Sequence, residues 1–258
     1  MYPTLFHIGN FAVHTYGFFV ATGFLLAISV AIREAKRVSE DPEKIIDLAL
    51  YIIIAAIIGS RFLYVVINWR DFKDDPLEII RLWNGGLVFY GGLIGASLVT
   101  IWYLRKHRLP VWKTADILAP SIALGQSIGR IGCFFAGCCY GKVCHYWWCI
   151  TFTHPESLAP KGVPLHPVQL YATANAFLIY VVLTKLRRRK KFEGELFWLY
   201  ILLYAITRSA IEFFRGDYRG TLFGGLLSTA QTIGIVMALV AIFMLVCLRR
   251  VSHRKDAQ

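Results

Sequence analysis

Residues 16–32 read YGFFVATGFLLAISVAI, a run without a single charge, closed off by Arg33, Lys36 and Arg37. A membrane-crossing helix needs roughly 20 mostly apolar residues, and basic residues directly after such a run mark the side on which the chain is held. Mostly apolar runs of similar length lie at 45–67, 86–104, 114–135, 167–183, 196–214 and 226–248, broken only by Asp47 and Arg61 in 45–67, Asp116 and Arg130 in 114–135, and Arg208 and Glu212 in 196–214. The reading is an all-α polytopic membrane protein with about seven transmembrane helices, a single integral-membrane domain over 1–258. The composition agrees: 57% of the 258 residues are hydrophobic and 17% charged, against about 45–50% and 25% in soluble domains. That excludes a disordered chain. It also argues against a nucleic-acid partner, although the formal net charge is +12.

The basic residues set the sidedness. Of the 28 Lys and Arg, 18 fall in the loops after runs one, three, five and seven, including Arg105 to Lys113 and Arg187 to Lys191; seven fall on the opposite side. The bias predicts an extracytoplasmic N-terminus and a cytoplasmic C-terminus, which an odd number of spans satisfies. The first fifteen residues carry no Lys or Arg, so no cleavable signal is expected there. Residues 137–166 form the longest non-spanning stretch and are expected to make a small extracytoplasmic head segment. Residues 68–84 alternate acid and base and predict a short amphipathic piece. The fourth run, with Pro120 and several glycines, predicts a broken or buried helix.

Ionisable groups at membrane depth are costly and need a partner or a purpose. Arg130 lies in GQSIGRIGCFFAGCCYGK, residues 125–142. Glycines at this spacing serve close helix packing, but an arginine among them also suits a bound phosphate or carboxylate, which a guanidinium grips as a fork. Arg208 and Glu212 stand four apart on one helix face, with Tyr204 one turn earlier and Arg215 toward the outer end. They read either as an ion pair joining helices or, with Arg130, as a site for an anionic lipid headgroup. Arg61 reads equally as a third such cation or as a side chain reaching to the interface. In LHPVQLY, residues 165–171, His166 and Gln169 flank a helix start, and the histidine reads first as a structural hydrogen-bonder. Tyr16 is an interfacial aromatic or a site residue. Five of the six cysteines fall within 133–149. With His145 they invite a zinc reading, but no CxxC pair occurs among them, the signal is weak and no metal site is assigned; disulfides are expected outside the bilayer, with adjacent Cys138–Cys139 disfavoured and the connectivity open.

In order along the chain, VHTYG (13–17), GGLVFYGGLIGA (85–96), GRIGCFFAGCCYGK (129–142), LHPVQLY (165–171) and YAITRSAIEFFRGD (204–217) resemble the motifs of the prolipoprotein diacylglyceryl transferase family of bacterial inner membranes. The resemblance implies transfer of a diacylglyceryl group from phosphatidylglycerol to the lipobox cysteine thiol in the signal peptide of a prolipoprotein, giving a thioether and glycerol phosphate. The site is implied to face the extracytoplasmic side of the plasma membrane, in contact with membrane lipids and without a cofactor. Carried over by position, the catalytic candidates are Arg130, Arg208, Glu212, Tyr90 and Tyr16. Phosphatidylglycerol-binding candidates are Arg130, Arg208, Tyr204, Gly141, His166, Gln169 and Arg215. The sequence departs from the family pattern at Tyr90, where histidine is usual, at Cys133, where asparagine is usual, and at Cys138, where glutamate is usual. On this reading Arg130 and Arg208 hold the phosphate, Glu212 orients Arg208, Tyr90 or Tyr16 orients the headgroup, and the glycines of the third span line the lipid cavity. The competing readings are a lipid transferase with another donor or acceptor, a transporter of an anionic lipid or metabolite, and a sensor built on the cysteine cluster.

Overall fold

The structure, a computed structural model, describes residues 2–9, 11–73, 75–81, 85–217, 220–222 and 227–256. Seven α-helices occur among them: α1 Thr15–Arg37, α2 Pro42–Ile67, α3 Phe89–Lys106, α4 Val111–Ala136, α5 Val168–Leu186, α6 Glu195–Glu212 and α7 Thr229–Asp256. Each coincides with one of the expected runs. Five of them, α1, α2, α4, α5 and α7, are long and apolar enough to cross a membrane. The other two have 18 residues each; α3 ends on Arg105 and Lys106, and α6 contains Glu195, Arg208 and Glu212. Arg219 and Leu226 lie outside the described residues, as does the end of the expected 68–84 piece.

Short two-stranded sheets decorate the helix ends: β1 Thr4–Ile8 with β2 Phe11–His14, β3 Ile150–Thr151 with β4 Pro164–Leu165, and β5 Thr221–Leu222 with β6 Leu227–Ser228, all antiparallel. They have too few residues to show a period in the sequence. The segment 137–166 is tied by the β3–β4 pair and by a Cys144–Cys149 disulfide. Residues 69–72 and 76–80 form two 3-10 turns where the amphipathic piece was expected.

The chain separates into two compact units, one of residues 1–31 with 112–258, the other of residues 32–111. In the second unit α2 and α3 pack almost backbone to backbone. A Cβ placed on Gly91 would collide with the Gly59 carbonyl, and one on Gly95 would come within 2.5 Å of the Ala55 carbonyl. The glycines of the third span are therefore packing surfaces, not the lining of a lipid cavity. Small residues allow this approach where lipid supplies no hydrophobic drive between helices. Arg61 is buried here and donates to the carbonyls of Ile79 at 2.9 Å and Gly85 at 2.6 Å, and also to that of Glu78. Its guanidinium sits near the Tyr64 and Phe72 rings. It organises the loop between α2 and α3.

In the first unit α4 is one continuous helix through Pro120, not a broken one. It is buried, as its small residues allow: Ala119 and Ala123 pack with Ile179 and Leu183 of α5 and Leu196 and Tyr200 of α6. α1 crosses the other side of α4, where a Cβ on Gly23 would lie 2.9 Å from the Gly125 carbonyl, and Phe19 stacks on Phe135 at 5.4 Å. Asp116 of α4 accepts from the Gly194 amide at 2.8 Å, the Phe197 amide at 2.9 Å and Lys190 Nζ at 3.0 Å. This carboxylate caps the start of α6 from a neighbouring helix, satisfying amides that have no partner inside α6. Together these contacts fix the faces that α4, α5 and α6 turn to one another.

Candidate active site

In the first unit, α4, α5 and α6 enclose a cleft. α4 supplies Gln126 and Arg130, one turn apart. α5 supplies Gln169, Ala172 and Asn175 at three-residue steps. α6 and its exit supply Tyr204, Arg208, Ile211 and Arg215, and Cys139 comes from the segment after α4. The helical period alone puts each set on one face.

The polar groups are densely connected. Arg208 Nη1 donates to Glu212 Oε2, and Arg215 Nε lies 3.7 Å from the same oxygen. Arg215 also grips Asp217 as a fork, Nε–Oδ1 2.9 Å and Nη2–Oδ2 2.5 Å. Glu212 and Arg215 are only 8% and 4% exposed at the side chain, and Arg208 15%. Arg130 is a polar neighbour of the Tyr204 hydroxyl, and its Nη1 is 3.9 Å from Cys139 Sγ. Among the described residues Arg130 forms no ion pair with a carboxylate. Three guanidinium groups thus face two carboxylates, which leaves one positive charge in excess. A cleft of that charge suits a singly charged phosphodiester.

Arg130, Gln169, Tyr204, Arg208 and Arg215 therefore share one cleft. Gln169 is almost wholly buried and donates to the Cys138 carbonyl at 2.8 Å, so it shapes the segment that brings Cys139 in. Gly141 has a backbone role. It bridges to Arg215, Lys142 N donates to the Phe214 carbonyl at 2.8 Å, and a Cβ would collide with the His166 carbonyl. It sews the 137–142 segment between the end of α6 and the start of α5. His166 contacts the Tyr171 hydroxyl through Nδ1 at 3.2 Å and packs on Phe214; it is not among the residues that line the cleft. Tyr16, at the start of α1, is 47% exposed and has Cys133, Cys138 and Arg130 as electrostatic neighbours. Tyr90 lies in the other compact unit, in the first turn of α3, exposed and edge-on to Phe89.

Gln126, Asn175 and Cys139 were not anticipated from the sequence. Gln126 stands four residues before Arg130, so the i, i+4 rule carried the signal. Asn175, the second amide of the uncharged run 167–183 after Gln169, carried one too. Cys139 carried none, because its place depends on the turn after α4. There Sγ atoms of Cys133, Cys138 and Cys139 lie within 4.8 Å of one another. Hydrogen bonds from the Cys133 and Cys138 thiols hold the Cys139 thiol below its ordinary value, helped by Arg215 and Arg130 and opposed by burial; hydrogen bonding to Cys133 and Cys139 pushes Cys138 up.

Comparison with known proteins gives the same direction. Residues 3–247 match the family model described as prolipoprotein diacylglyceryl transferase. A phosphatidylglycerol–prolipoprotein diacylglyceryl transferase of Clostridium tetani is 35% identical over 244 residues, covering 95% of this chain and 96% of that protein. One of Bacillus licheniformis is 37% identical over 257 residues, covering 98% and 94%. One of Clostridium perfringens, numbered 2, is 33% identical over 244 residues, covering 95% and 94%. With nearly the whole chain matched, and with the cleft built from the residues of its ordered motifs, the protein belongs to the prolipoprotein diacylglyceryl transferase family.

Proposed function

We propose that this protein transfers the diacylglyceryl group of phosphatidylglycerol to a cysteine thiol of a prolipoprotein, and that the cleft of Arg130, Arg208 and Arg215 is where the headgroup is held. The observation that carries the reading is the single excess positive charge in a buried cleft, in a chain whose residues 3–247 match this family. Phosphatidylglycerol presents one negative phosphodiester, and the C–O bond that breaks leaves further charge on the departing phosphate oxygen. Guanidinium groups fixed beforehand stabilise that charge without reorganising. Arg130 and Arg208 hold the phosphate, and Glu212 keeps Arg208 oriented and limits the local positive charge. Tyr204, Gln126 and Asn175 offer hydrogen bonds to the glycerol hydroxyls, and Tyr16 orients the headgroup from α1. Gly141 and His166 act on the shape of the site, through the 137–142 segment and the Tyr171–Phe214 pair.

All seven helices span the inner membrane in this reading, the 18-residue α3 and α6 included. The N-terminus and the 137–166 segment lie outside and the basic loops inside, as the charge bias requires. The acceptor is the lipobox segment of a signal peptide, which reaches the cleft from the lipid phase.

The test is reconstitution of the purified protein in liposomes of phosphatidylglycerol with a lipobox peptide and with its Cys→Ser counterpart. Mass spectrometry is expected to find a diacylglyceryl thioether on the thiol peptide alone. Lipid moved across the bilayer with no modified peptide would favour a transporter and refute the transferase reading.

A further inference from the structure

Three sulfur atoms within 4.8 Å of one another, at the edge of a cleft built for a phosphodiester, are more than a packing detail. Cys133 is on the last turns of α4, and Cys138 and Cys139 follow the helix. The chain brings the adjacent pair onto one centre by an unusual path. Gly137 has φ +75°, and Cys139 is held at φ +59°, in the left-handed region that side chains with a Cβ avoid. Such a conformation is disfavoured and persists where its surroundings enforce it. Here Gln169 fixes the Cys138 carbonyl, and the Arg130 guanidinium stands beside the Cys139 sulfur. The neighbouring Cys144 and Cys149 are joined to each other and do not compete.

We propose that Cys133, Cys138 and Cys139 hold one zinc ion whose fourth position takes the acceptor cysteine and presents it as a thiolate. The inference rests on the transferase reading and supplies what that reading lacks, a means of deprotonating the thiol. Thiolates on a tetrahedral zinc at about 2.3 Å lie roughly 3.8 Å apart, so the three sulfurs need to close by no more than about an ångström. Three protein ligands and an open position are the pattern of a working rather than a structural zinc site, and a thiol that coordinates zinc is deprotonated outright. In the reaction the acceptor thiol loses its proton to water on coordination. Its sulfur pair then forms the C–S bond to the glyceryl carbon. The C–O bond to phosphate breaks, its electron pair leaves on the oxygen of glycerol phosphate, and zinc remains divalent throughout.

The full-length protein, purified under reducing conditions, is stripped with a chelator and titrated with zinc, then with cobalt as a coloured substitute. One metal per chain is expected, with sulfur-to-cobalt charge-transfer absorption that changes on adding the thiol peptide and not the serine peptide. Cys133→Ser, Cys138→Ser and Cys139→Ser should each lose tight binding, while Cys247→Ser, in α7, keeps it. Stripping the wild type, which needs no variant to fold, should slow thioether formation about 100-fold, with recovery on adding zinc. Full activity of the stripped enzyme overturns the zinc proposal and leaves the transferase standing. So does a disulfide among the three cysteines of active protein, or metal binding that survives their substitution. Cobalt that responds to the thiol peptide, with no product formed, keeps the metal site and overturns the transferase reading.

Discussion

Glu212 accepts from Arg208, lies 3.7 Å from Arg215, and is 8% exposed. This carboxylate orients Arg208 and lies at ion-pair distance from Arg215, which Asp217 orients. Removing one member of a buried ion pair typically costs about 3–5 kcal/mol, because the other charge is left without compensation. Glu212→Gln is expected to lower the thermal midpoint and to reduce transfer, with recovery of much of the activity in Glu212→Asp only if the shorter side chain still reaches Arg208. Equal stability and rate in Glu212→Gln would remove its orienting role. At Gly141 the argument is steric. Any Cβ there strikes the His166 carbonyl, so Gly141→Ala is expected to displace the 137–142 segment and cut turnover without touching a substrate-binding group. A wild-type rate in that variant would show that the segment tolerates the shift. The arginines and the carboxylate were legible in the sequence, since charges in an apolar run stand out. The grouping of three thiols was not, because no CxxC spacing announces it and the turn at Cys139 decides it.

At the scale of helices, the apolar runs located all seven elements, and four of the runs, 16–32, 86–104, 196–214 and 226–248, are closed directly by an arginine. The continuity of α4 through Pro120 was not legible: a proline interrupts one hydrogen bond, and whether the helix then breaks depends on the packing around it. Here Ala119 and Ala123 are fully buried against α5 and α6. Nor did the sequence tell that Asp116 caps α6, a contact between residues about eighty positions apart. Asp116→Ala leaves the Gly194 and Phe197 amides without their acceptor, and an unsatisfied buried donor costs about 1–3 kcal/mol; a clear fall in the thermal midpoint is expected, and an unchanged midpoint would contradict the capping role. Burial draws the Lys190 ammonium down, but hydrogen bonding and charge from Glu193 and Asp116 raise it above the ordinary lysine value. A raised value in the folded state means that the ion pair contributes fully below about pH 10.4. Its contribution fades only as pH climbs through the raised value.

For the whole molecule, the distribution of Lys and Arg gives a topology that the helix positions alone do not. A fluorescent protein fused after Gln258 is expected to mature in the cytoplasm, and a phosphatase that folds only outside is expected to be active when inserted in 137–166. The reverse pattern would invert the molecule and place the cleft on the wrong side for its acceptor. Family membership is shared by nearly the full length of the chain, but the claim that matters is chemical: the cleft holds a phosphodiester and releases it as glycerol phosphate. The most direct measurement is the initial rate of diacylglyceryl thioether formation in phosphatidylglycerol liposomes, by mass spectrometry, for wild type beside Arg130→Gln. Loss of one preorganised donor to developing charge costs about 100–1,000-fold, and a fall of that size in a folded variant is the predicted result. A rate within a few-fold of wild type would contradict the account.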